Sequence, residues 1–175
     1  MTTVYKLTDQ KMKTYNGFQW ALGEKKTASG NGGLCGPGFL HAYTHPLLAV
    51  LLNPIHANIS KPRLFECAGT VAKADSGLKV GCTVLTLTRE IGLPPITTVQ
   101  SVSFAILCAK EVCKGVKWNA WADGWLSGED RTARAAADSA ARAADSAARA
   151  ARAAVVAARE KTNLDLISIA LKATR

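Results

Sequence analysis

Between residues 136 and 149 the seven-residue unit AADSAAR runs twice in succession, inside a tract that is mostly alanine. Alanine has the highest helix propensity and the smallest side chain that still favours a helix, so the tract predicts one long helix with a thin face. Heptad spacing with alanine at both seam positions lets helix axes approach closely, which points to self-association or to packing on the rest of the chain. Asp138 with Arg142 and Asp145 with Arg149 form acid-first i, i+4 pairs, and they share a charged stripe with Arg131, Arg134 and Arg152. Ser127-Gly128-Glu129-Asp130 is placed to open this helix, and Thr162-Asn163 breaks it. Leu164, Ile167 and Leu171 then outline a short amphipathic helix that folds back on a neighbour.

The front of the chain has a different pattern. Residues 3–7 alternate as a strand, and residues 17–22 (GFQWAL) read as a second. Residues 29–38 (SGNGGLCGPG) form a flexible loop. Residues 39–43 read as a strand, after which Thr44 caps a helix with Pro46 in its first turn, ending at Asn53-Pro54. Residues 63–71 and 78–88 are rich in β-branched side chains and are joined by Asp75-Ser76-Gly77, a hairpin turn. Thr97 and Gln100 have capping-box spacing ahead of a helix whose apolar face is Val102, Ile106, Ala109 and Cys113. Trp118, Trp121 and Trp125 lie on one side of the next helix, where they dock it on a sheet. The expected fold is α+β: a small, mainly antiparallel sheet with one inserted helix, followed by a helical C-terminal half. The expected domains are residues 1–126 and 127–175.

The formal net charge is +9, with basic residues in excess on both sides of residue 130 (13 against 9 before it, 9 against 4 after it). An anionic partner is favoured. The N-terminus has no apolar segment of the signal-peptide kind, and the best apolar run, residues 47–52, is too short to span a bilayer, so a cytoplasmic protein without a membrane partner is expected. The five cysteines form no C-x-x-C pair and read as reduced, mostly core thiols. Cys35 with His41 and His45 is the one combination resembling a zinc set, but it lacks a fourth ligand and Pro46 breaks the helix it needs; no metal and no cofactor is expected. There is no phosphate loop of the G-x-x-x-x-G-K-[ST] kind and no G-x-S-x-G elbow. What remains is a candidate ligand site. His41, Tyr43 and His45 alternate ahead of a helix N-terminus, and with Arg63 or Lys79 they would make a basic, aromatic pocket for a nucleotide-type anion.

Four blocks, LCGPGFLHAYTHPLLAVLLNP, RLFECAG, LKVGC with the following LTLTREI, and WNAWADGWLSGEDR, resemble a family of small uncharacterised proteins found largely in tailed bacteriophages. The resemblance covers nearly the whole chain and implies a phage origin and a host-cytoplasmic location; it implies no activity. The order of elements also resembles small ADP-ribosyltransferases, and that likeness implies catalytic roles for Tyr5, Tyr43 and Glu66 around a nicotinamide ribose. This chain carries Tyr5 and Lys6 where those enzymes present His or Arg. Three functions stay open at this point: a phage anti-defence sponge that sequesters a nucleotide-type signal as a homo-oligomer, an ADP-ribosyltransferase-like enzyme, and a nucleic-acid-binding protein using the arginines of the long helix.

Overall fold

The computed structural model describes residues 1–75, 77–112, 115–129 and 164–175. The alanine helix with its arginine stripe, the first-turn acid Asp130, the helix end at Thr162-Asn163 and Cys113 all fall outside these residues. The fold is α+β, and the described residues form two compact units, Met1–Pro95 and Ile96–Arg175. The division at Pro95 comes earlier than composition suggests. It follows Leu93-Pro94-Pro95, and consecutive prolines favour extended backbone over a continuing helix or ladder.

The first unit is an antiparallel sheet of five strands. Strand β1 (Thr2–Thr8) pairs along its whole length with β4 (Arg63–Ala74), which forms a long hairpin with β5 (Val80–Ile91). The outer edge of β5 is shared by β2 (Lys25–Thr27) and β3 (Leu40–Ala42). Tyr43, just past β3, exchanges both backbone hydrogen bonds with Tyr5 at 2.8 Å each. The sheet therefore curls until β3 meets the free edge of β1, and its concave face becomes an enclosed core. Val4, Phe65, Cys67, Cys82, Leu85 and Leu87 line that core, each at most 1% exposed, together with Trp20 and Ala42. At about 25 cal/mol per Å² of apolar surface removed from water, this burial dominates the stability of the unit.

Residues 17–22 are not a strand. Tyr15–Gly17 is a single 3₁₀ turn, and only isolated bridges, Lys13 to Gln19 and Leu22 to Leu87, tie the segment to its neighbours. Met12 and Asn16 take left-handed backbone angles (φ 58° and 55°), which curl the chain and swing Trp20 inward, where its indole N–H donates to Thr14 Oγ1 at 2.9 Å. Two short helices follow β3: α1 (Pro46–Leu51) and α2 (Asn53–His56). The cap of α1 is His45 rather than Thr44, since its Nδ1 accepts the Leu47 N–H at 3.3 Å. Asn53-Pro54 starts α2 instead of ending the helical stretch, because proline is compatible with a first helical turn.

In the second unit, α3 (Thr98–Val112) opens with the expected capping box: Thr97 N–H donates to Gln100 Oε1 at 2.9 Å and Gln100 N–H to Thr97 Oγ1 at 3.2 Å. Helix α4 (Val116–Ser127) ends at Gly128, whose φ of 91° suits glycine. The tryptophan stripe is packing, but its partner is α3 rather than a sheet: Trp125 is buried with Ile106 and Ala122, Trp118 fills in beside them, and Trp121 is 41% exposed. The last helix, α5 (Leu166–Ala173), is capped by Asp165 and packs on α3. Its buried face is Leu166, Ala170 and Ala173, while Leu171 is exposed.

Candidate functional site

Residues directly opposite one another on antiparallel strands share a face. That rule sorts the polar residues of the sheet. Lys6 faces Phe65 and so belongs to the enclosed side, whereas Tyr43, just past β3, and Tyr5, Glu66 and Arg89 on β1, β4 and β5 lie opposite one another in one row on the outer side. His41, opposite Gly81, continues the row towards Lys79.

Helix α2 brings His56 over this row. The Tyr43 and His56 rings stack with centroids 5.8 Å apart and share a hydrogen bond of 3.1 Å between Oη and Nδ1. Burial lowers the His56 pKa to about 4, assisted by the Lys79 charge and opposed by Asp75. Burial also lowers the His41 pKa, with Lys79 and Lys6 acting in the same direction, and raises that of Tyr43. At neutral pH both imidazoles are therefore uncharged and Lys79 is the cation among them. The His41 Nε2–H donates to the Leu34 carbonyl, which ties the ring to the glycine loop.

The glycine loop itself is held in place. Lys73 Nζ donates to the Gly32 carbonyl at 2.6 Å, Lys79 Nζ lies 3.3 Å from Cys35 Sγ, and Gly30 N–H donates to the Gly38 carbonyl at 2.8 Å. Gly38 has to be glycine, because a Cβ there would run into the backbone of Asn31.

Of the sequence-expected ligand residues, His41, Tyr43 and Lys79 come together at this end of the sheet, and His45 is engaged as a helix cap. Arg63 stands apart. It sits at the start of twelve-residue β4, whose far end pairs with Val80, so roughly 35 Å of strand separates it from Lys79. Its guanidinium makes two hydrogen bonds to Glu90, at 2.9 and 2.5 Å. Of the expected catalytic residues, Tyr5, Tyr43 and Glu66 do lie side by side, with Glu66 paired to Arg89 at 2.7 Å. Among the described residues no group of His, Cys, Asp and Glu is arranged to hold a metal ion, and no helix is long and apolar enough to cross a membrane.

Two residues escape a reading of the sequence. His56 lies in a turn of helix after Asn53-Pro54, where no periodic pattern points to the sheet. Lys6 is 8% exposed: its ammonium donates to the His41 carbonyl at 2.7 Å and lies 4.7 Å from the centre of the Trp20 ring. Burial brings its pKa down to about 8, with the Cys67 and Cys82 thiols opposing. Its place on the buried face follows from the alternation that puts it with Val4 and Thr8, both fully buried.

No curated protein and no solved structure matches the chain. The model of a domain of unknown function, DUF7666, matches residues 2–98, which is the sheet unit and more than half of the sequence. The chain thus belongs to the DUF7666 family, and the row of polar side chains lies wholly inside the family's domain.

Proposed function

We propose that this protein binds and sequesters an anionic, nucleotide-type small ligand on the outer face of the sheet, at Lys79, His41, Tyr43 and His56. The observation that carries this reading is the pairing of one lysine with two imidazoles that burial keeps neutral. An arriving phosphate supplies the negative charge that such imidazoles lack, so they protonate and add to the attraction. His56, stacked on the buried Tyr43 ring, offers a half-buried aromatic surface beside it. A non-catalytic sponge of phage origin, acting in the host cytoplasm against a nucleotide defence signal and working as a homo-oligomer through the alanine tract, is the biological setting we favour. Native mass spectrometry of the full chain, before and after incubation with a bacterial nucleotide extract, tests it. A discrete adduct that disappears in Lys79→Ala is expected; a bare protein under both conditions contradicts it.

A second reading, ADP-ribosyl transfer, is favoured by the alignment of Tyr43, just past β3, with Tyr5 on β1 and Glu66 on β4. It requires NAD turnover that Glu66→Ala abolishes. Binding of a nucleotide with no turnover would exclude it.

A further inference from the structure

Residues 9–20 form a rigid platform with an aromatic tip. Asp9 Oδ1 accepts from the backbone N–H of both Lys11 and Lys13, at 2.9 and 2.7 Å. The Gln19 amide donates to the carbonyls of Lys11, Met12 and Trp20, and Thr14 closes the tip by accepting from the Gly17 N–H and from the Trp20 indole. With its backbone so tied, the loop holds Tyr15 87% exposed and Phe18 42% exposed. Phe18 is braced from behind by Trp20, at 5.1 Å between ring centres, and Lys26 Nζ lies 5.8 Å from the centre of its ring.

Positive charge lies on the same loop. Lys11 and Lys13 are exposed, and among the described residues no ion pair reaches either of them. The two carboxylates within residues 9–26 are engaged, Asp9 within the loop and Glu24 on Lys26 at 2.5 Å, and Glu90 nearby is paired with Arg63. Exposed aromatic faces on a preorganised loop among unpaired ammonium groups match the chemistry of a single-stranded nucleic acid, whose bases stack on rings while its phosphates meet lysines. We infer that the 9–26 region is a docking surface for single-stranded nucleic acid, independent of the anion row and of the arginines at 131–152. An acidic polypeptide would satisfy the lysines but leave the two rings without a stacking partner.

The test is fluorescence anisotropy of a labelled oligothymidylate with the full chain. Tyr15→Ala, which removes a ring that little else touches, is expected to weaken binding about tenfold or more, while Tyr15→Trp retains it and shows indole quenching by the oligonucleotide. Lys13→Ala is expected to reduce the slope of log affinity against log salt by about 0.7. Absence of binding by the wild-type chain overturns the inference. So does unchanged affinity in Tyr15→Ala with an unchanged circular dichroism spectrum, or equal competition by polyglutamate regardless of the residue at 15.

Discussion

The two units bury different things. Among the described residues the helical unit hides mostly apolar groups, alanines, Phe104, Ile106, Cys108 and the Trp125 ring, with Ser103 its one buried polar side chain and no buried ammonium or carboxylate. The sheet unit hides an ammonium, and against its outer face it half-hides two imidazoles whose charged forms burial suppresses. Desolvating a charge without a carboxylate partner costs free energy that apolar residues of similar volume would not. The described part of the helical unit buries no charge, whereas the sheet unit carries charged and ionisable groups whose presence stability does not explain. Those groups meet at His41, whose carbonyl takes the Lys6 proton donor and whose ring continues the outer row.

The sharpest way to break this contrast is in the helices. Trp125→Ala should destabilise the second unit by about 3–5 kcal/mol, whereas Trp121→Ala, at a half-exposed position, should cost under about 1 kcal/mol; thermal unfolding of both variants checks it. Equal losses would mean that the whole tryptophan stripe is buried.

Lys6 is the next lever, and here removal should help. A folded pKa near 8 against an unfolded value near 10.5 means that the protonated lysine opposes folding by roughly 3 kcal/mol at neutral pH. Lys6→Met relieves that but strands the His41 carbonyl, at about 1–2 kcal/mol, so a net gain of about 1–2 kcal/mol in urea unfolding at pH 7 is expected. Between about pH 8 and pH 10.5 the unfolded chain binds more protons than the folded one, so wild-type stability should rise relative to Lys6→Met across that window and level off above it. A variant that loses stability would show that Lys6 is a structural asset. A smaller effect is expected at the capping box: Gln100→Ala should cost about 1 kcal/mol and shift only the transition of the helical unit.

Much of this architecture is legible in the sequence where periodicity is strong. The alternation of β1 and of Leu85 and Leu87 in β5, and the Thr97/Gln100 box, all reappear at their places. The segment 17–22 has strand composition yet is curled by left-handed angles at Met12 and Asn16, a local geometry that hydrophobic pattern does not encode. Arg63 and Lys79 looked equivalent as cations on adjacent strands, but the register of a long hairpin puts them at opposite ends. His56 was invisible because its role depends on how α2 lies over the sheet, which is tertiary information.

The most direct test of the anion row is an NMR titration of the histidine rings in the presence and absence of ADP. The free protein should show His56 titrating near pH 4 and His41 below its ordinary range, and ADP should move both upward, with affinity increasing as pH falls from 8 to 6. Histidines that titrate near 6.5 and do not respond to ADP, inorganic phosphate or pyrophosphate would contradict the account.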